Sequence, residues 1–154
     1  MPASAPVVTI DGPSGSGKGT ISRGLAAKLR WHLLDSGALY RLVALAAARR
    51  GNPEDPAELA RIARAMNVSF GSAAVADHVL LDREDVTDAL RTEGIGAAAS
   101  QVAAVPAVRE ALLQRQRDFV RPPGKRPPVT VIIPASMEPT TKPCLKAWRM
   151  FRTL

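Results

Sequence analysis

The sequence has little cysteine and no long apolar run, and both absences narrow what the protein can be. Among its 154 residues there is one cysteine, Cys144, so an internal disulfide and a zinc site built from cysteines are excluded. No stretch approaches the roughly 20 apolar residues that a membrane-spanning helix needs, and no charged-then-apolar leader opens the chain. With 46% hydrophobic and 23% charged residues, the composition predicts a globular, cytoplasmic protein with a real core.

Positive charge is in excess, but it is unevenly distributed along the chain. The formal net charge is +7, and residues 1–124 hold 15 basic residues against 13 acidic ones. Residues 125–154 hold six basic residues and one acid, Glu138. A nucleic-acid-binding domain would be expected to carry its excess charge on a folded face. We therefore expect neither a nucleic acid nor a membrane as partner.

The first third of the chain alternates strand and helix patterns. Residues 6–11 form a β-branched apolar run that predicts a buried strand, followed by a glycine-rich stretch. Ile21, Leu25 and Leu29 then repeat every four residues, which predicts one apolar stripe of a helix. A second strand is predicted at residues 32–35, with Ser36 as the N-cap of the next helix. This order favours an α/β fold with a parallel sheet.

The middle and the end of the chain differ from that pattern. After a helix at residues 57–66, two short strands at 68–70 and 78–82 predict an antiparallel hairpin around a turn at 71–76. Helices are predicted at residues 95–104 and from Pro106 to the Pro-Pro-Gly sequence at 122–124. We therefore expect one domain over residues 1–124 with an insertion at about 52–110. Residues 125–154 are expected to form an irregular tail rich in Pro, Lys and Arg, with one possible strand at 129–133.

The strongest chemical signal is the glycine-rich stretch at residues 12–20, between the first strand and the first helix. A loop that wraps phosphate with its backbone N–H groups needs glycines, and the following helix directs its positive end at the same anion. Lys18 adds a mobile positive charge for the phosphates. The general P-loop pattern has Ser or Thr directly after the lysine, whereas Gly19 intervenes here before Thr20. We therefore assign no metal-ligating side chain.

A second polar cluster lies at residues 34–41, at the predicted junction between the second strand and the second helix. Ser36 and Arg41 could hold an acceptor phosphate, because a helix start offers N–H groups and arginine offers a bidentate fork. The same residues are also explained by N-capping at Ser36, packing of Tyr40 and solvation of Arg41. Taken alone, the pattern does not decide between these interpretations.

Together the two segments resemble bacterial cytidylate kinases, the (d)CMP kinase family. The resemblance is carried by residues 9–20, 31–41, 84–87, 98–104 and 108–113, and it covers about residues 5–124. It implies a P-loop NTPase-like parallel sheet flanked by helices, with a small antiparallel insertion in the region that binds the nucleoside monophosphate. It also implies transfer of the γ-phosphate of ATP to CMP or dCMP, with Mg²⁺ accompanying ATP.

The resemblance assigns roles to individual residues. For ATP it implies Gly12, Pro13, Ser14, Gly15, Ser16, Gly17, Lys18, Gly19 and Thr20, with Lys18 catalytic. For the CMP site it implies Asp35, Ser36, Gly37, Tyr40, Arg41, Ser100 and Arg109, the last two reaching the cytosine base. A fully folded chain is expected to be a monomer.

The resemblance stops at Gly124. The family would continue there into an acidic, arginine-containing turn and an arginine-bearing lid, neither of which is recognisable in residues 125–154. The second half of the family fold is thus expected to be missing, through truncation, a frameshift or a changed domain boundary, with reduced catalytic competence. The alternatives are a nucleotide-binding protein without turnover and another small P-loop kinase with a different acceptor.

Overall fold

A computed structural model of the chain describes residues 7–10, 16–70, 78–120 and 129–132. The strands are β1 (Val7–Ile10), β2 (His32–Asp35), β3 (Val68–Phe70), β4 (Val79–Leu81), β5 (Glu84–Asp85) and β6 (Val129–Ile132). The helices are α1 (Lys18–Leu29), α2 (Ser36–Ala48), α3 (Pro56–Ala65), α4 (Glu93–Ala104) and α5 (Pro106–Val120), with a 3-10 turn at Ala89–Arg91 before α4. No helix in these ranges is both long and apolar enough to cross a bilayer.

A three-stranded sheet in the order β1-β6-β2 places the C-terminal ends of β1 and β2 at the same end of the sheet. Both outer strands run parallel to β6, and Ile10 of β1 and Asp35 of β2 are both in register with Ile132. Because neighbouring strands lie about 4.8 Å apart, the two ends are separated by roughly 10 Å. The chain therefore leaves β1 and β2 at the same end of this sheet, with the end of β6 between them. The central strand β6 lies in the C-terminal segment for which the sequence offered one possible strand.

The second sheet is antiparallel and lies in the middle of the sequence. The predicted hairpin is confirmed: Val68 of β3 is opposite Leu81 of β4, and Phe70 is opposite Val79. Its turn at residues 71–76 lies outside the described residues. The short strand β5 then pairs with β4, although its two residues are both acidic and show no strand pattern in the sequence. Arg49, which follows α2, donates two hydrogen bonds of 2.9 Å to the Glu84 carboxylate and joins this sheet to α2.

The core is built around α2, which is buried along most of its length. The largest fully buried apolar side chains are Leu34, Leu39, Leu42, Val43, Ile62, Leu81, Val86, Val108 and Leu112. They come from α2, α3, α5, β2 and β4, except Val86, which directly follows β5. Each such side chain contributes about 1.5–3 kcal/mol through removal of its apolar surface from water. The core thus fixes the start of α2 and the helices that pack on it.

Helix α1 buries a different face from the one its apolar spacing predicts. Ile21 is 61% exposed and Leu29 is 41% exposed, whereas Ser22 and Ala26 are buried. The predicted stripe through Ile21, Leu25 and Leu29 is therefore wrong as the packed face. Because Ser22 and Ala26 are small, they let the α1 backbone approach β2 and β6 closely.

Candidate functional site

The first βα junction joins β1 to the N-terminus of α1. Residues 12–15 of the predicted phosphate loop lie outside the described residues, which resume at Ser16. Gly17 is the N-cap, with φ +78° and ψ 9°, a left-handed conformation that residues with a Cβ adopt only at a cost. Glycine provides no capping side chain for the first turn of α1. A helix N-terminus favours an anion such as phosphate, because the backbone N–H groups of the first turn point towards it.

Two basic side chains lie at the first turn of α1. Lys18 is the first helical residue, so α1 begins inside the glycine-rich stretch that was predicted to precede it. A Cβ built on Gly19 would lie 3.7 Å from Nη1 of Arg23, so that guanidinium lies over the first turn. Arg23 was missed in the sequence, although its i, i+4 spacing from Gly19 places both residues on one face. The helix dipole and both cations favour an anion here.

The second βα junction joins β2 to α2 and corrects one expectation. Asp35 is the N-cap, and its Oδ1 accepts a hydrogen bond of 3.2 Å from the Ala38 amide. The prediction that Ser36 is the N-cap is wrong, because Ser36 is already helical and is 2% exposed. Asp35 has extended backbone geometry, and its carboxylate satisfies an amide of the first turn. Gly37, which follows, is half-buried.

Tyr40 and Arg41 lie one turn into α2, the first buried and the second hydrogen-bonded to the 3-10 turn. Tyr40 is 6% exposed; burial raises the pKa of its phenol, and the positive charge of Arg109 partly offsets that rise. The Nη1 of Arg41 donates a hydrogen bond of 2.8 Å to the Leu90 carbonyl in the 3-10 turn. A guanidinium has five N–H donors, so this bond orients the Arg41 group without using all of them.

Ser100 and Arg109 lie on α4 and α5. The Ser100 hydroxyl is exposed and donates 3.3 Å back to the Gly96 carbonyl of its own helix. The Nη1 of Arg109 donates to the carbonyls of Ala103 and Ala104, at 3.2 and 3.4 Å. These bonds hold Arg109 at the C-terminal end of α4, the helix that packs on α2. The hydrogen bond described for Ser100 stays within α4 and does not link it to Arg109.

The possible metal ligands among the described residues are compatible with a metal ion that binds together with a nucleotide. They contain no cluster of three His, Cys, Asp or Glu side chains that could form a protein cage. Thr20 is exposed on the first turn of α1, beside the proposed phosphate position. Mg²⁺ commonly keeps several waters and is held through one or two protein ligands together with substrate phosphates. A hydroxyl such as that of Thr20 is compatible with that mode.

Comparison with known proteins identifies a family over most of the chain. The model of the family "Cytidylate kinase" matches residues 8–126. A cytidylate kinase of Pseudomonas fluorescens (strain SBW25) is 55% identical over 127 residues, which are 80% of this chain and 56% of that protein. A cytidylate kinase of Aeromonas hydrophila is 54% identical over 125 residues, 80% of this chain and 54% of that protein. The chain thus spans about half the length of the curated relatives it matches.

Proposed function

The chain belongs to the cytidylate kinase family, and from that premise we propose that it transfers the γ-phosphate of ATP to CMP or dCMP, giving ADP and CDP or dCDP. The observation that carries the proposal is the register of the parallel sheet. It sets the end of β1, where the phosphate loop begins, about 10 Å from the end of β2, where α2 begins. A donor and an acceptor nucleotide bound at these junctions would present their phosphates to each other.

On the donor side we propose that residues 12–20 bind the ATP phosphates. The N-terminus of α1 and Lys18 would balance the charge of the β- and γ-phosphates. An oxygen of the acceptor phosphate forms a bond to the γ-phosphorus while the bond from that phosphorus to the β–γ bridging oxygen breaks, which leaves ADP. Lys18 can follow the phosphoryl group as it moves. Mg²⁺ bound with ATP would supply further neutralisation of phosphate charge, and the Thr20 hydroxyl would be a side chain able to hold it.

On the acceptor side we propose that Ser36 and Arg41 lie by the CMP phosphate and that Ser100 and Arg109 reach the cytosine. The side of the acceptor site next to the CMP phosphate would be lined by Asp35, Gly37 and Tyr40. Support comes from the hydrogen bonds of Arg41 and Arg109, because each guanidinium is held by carbonyl oxygens through Nη1. Arginines held in this way have lost part of their rotamer entropy before the nucleotide arrives.

We also propose that a chain of these 154 residues transfers phosphate slowly. Phosphoryl transfer depends on positioning and on positive charge around the migrating group, and one arginine can be worth on the order of 10³–10⁵ in rate. The matched region covers about half of each relative, and the arginine-bearing lid that the family resemblance implies is not recognisable in residues 125–154. The second candidate function, nucleotide binding without turnover, rests on the same observation.

Calorimetry with ATP and a coupled assay for CMP-dependent ADP formation test these proposals. Lys18→Ala should weaken ATP binding by about 1.5–3 kcal/mol, the typical contribution of a hydrogen bond to a charged group. Lys28→Ala removes the same side chain from the last turn of the same helix and should leave ATP binding unchanged. If the two variants bind ATP equally well, Lys18 does not belong to the phosphate site. A turnover of about 1–10³ per second would refute slow transfer, and no CMP-dependent ADP would favour binding alone.

A further inference from the structure

The junction between α4 and α5 is a one-residue break set by a proline. Helix α4 ends at Ala104 and α5 begins at Pro106. Val105 between them has φ −77° and ψ 114°, the extended geometry that a residue before proline favours. Pro106 has no N–H, so it cannot continue the hydrogen bonding of α4. The Val102 carbonyl is instead reached by the Val105 amide, at 3.1 Å.

Because α4 ends here, the carbonyls of its last two residues, Ala103 and Ala104, accept hydrogen bonds from a side chain of α5. The amides of Val108 and Arg109 both turn to the Val105 carbonyl, at 3.2 Å each. The carbonyls of Ala103 and Ala104 receive the Nη1 of Arg109. Arg109 lies three residues after Pro106, which is close to one turn, so its side chain can return over the junction. A cation at a helix C-terminus is also favoured by the helix dipole.

We infer that Pro106 is a positioning residue for the acceptor base: by ending α4, it creates the pair of carbonyls that holds the Arg109 guanidinium in place. The inference rests on the proposed function, in which Arg109 faces cytosine. Cytosine presents acceptors at N3 and O2, whereas uracil carries a hydrogen at N3. A guanidinium fixed in one orientation can donate to N3 and O2 of cytosine. The same guanidinium would face the N3–H donor of uracil, with which it cannot form a hydrogen bond. Pro106 therefore acts, through Arg109, on the preference for CMP over UMP.

Two matched substitutions test this role. Pro106→Ala restores an N–H at the junction, and because Pro106 is exposed the change removes little packing. Pro56→Ala is the control, since Pro56 is also exposed at the first position of a helix, α3. Dissociation constants for CMP, UMP and ATP are measured by calorimetry on the full chain. Pro106→Ala should weaken CMP about two- to tenfold, the effect of releasing one ordered side chain. It should leave ATP unchanged and reduce the ratio of CMP to UMP affinity, whereas Pro56→Ala should alter none of the three.

A double-mutant cycle with Arg109→Met separates positioning from a general effect. If Pro106 acts through Arg109, Pro106→Ala has no further effect on CMP in the Arg109→Met background. NMR of the Arg109 Nε–H should also show a more mobile guanidinium in Pro106→Ala without any nucleotide. Loss of CMP affinity in Arg109→Met with wild-type affinity in Pro106→Ala overturns the inference and leaves the proposed function intact. A wild-type chain that binds ATP but no CMP overturns both, and equal losses for CMP and ATP in Pro106→Ala overturn the positioning role.

Discussion

Replacement of Gly17 by alanine tests the backbone geometry of the phosphate loop. Gly17 has φ +78°, and a residue with a Cβ costs about 1–2 kcal/mol more than glycine in this region. A Cβ built there has no heavy atom of the described residues within 4 Å, so the cost considered is conformational. If the loop keeps its shape in Gly17→Ala, the free energy of unfolding falls by that amount. If the loop relaxes, ATP affinity falls instead, by up to a factor of about 5–30.

The control for this prediction lies in the same helix. Within the described part of the chain, Gly24 also has no atom within 4 Å of a built Cβ, but it is inside α1 and has no positive φ. Gly24→Ala should therefore stabilise the protein by about 0.5–1 kcal/mol. Urea unfolding and ATP calorimetry on both variants give the two quantities. The reasoning is refuted if Gly17→Ala matches the wild type in both stability and ATP affinity.

Three further predictions concern the framework around the site. Arg115 donates to the two carbonyls at the end of α3, so Arg115→Met should lower the free energy of unfolding by about 1.5–3 kcal/mol in urea. Leu112 is fully buried, and Leu112→Ala should cost about 2–5 kcal/mol in the same assay. Hydrogen bonds from Thr87 and His78 lower the pKa of Asp85 to about 2, so its contribution to stability is present above pH 4 and is lost as the pH falls towards 2. Thermal unfolding from pH 5 to pH 2 should show a smaller decline for Asp85→Asn; identical declines would contradict this.

Local sequence chemistry determined much of the secondary structure and part of the site. The strand His32–Asp35 was predicted at its observed bounds, because a short apolar run there is followed by the polar residues Asp35 and Ser36. Pro106 was predicted to start α5 and does so, since its fixed φ suits the first helical position. In each case the deciding interactions lie within a few residues along the chain.

Only the tertiary structure decided which faces and which partners these elements use. The spacing of Ile21 and Leu29 is helical, but small residues on another face of α1 pack on the sheet. The sequence alone left Arg41 between a solvated and a phosphate-binding role, whereas its guanidinium reaches the Leu90 carbonyl. Arg109 likewise reaches carbonyls at the end of α4. Periodicity reports that a helix has an apolar side, whereas the side that is buried depends on how closely two backbones can approach. A guanidinium likewise finds its acceptors where the packing of other helices leaves carbonyls without amide partners.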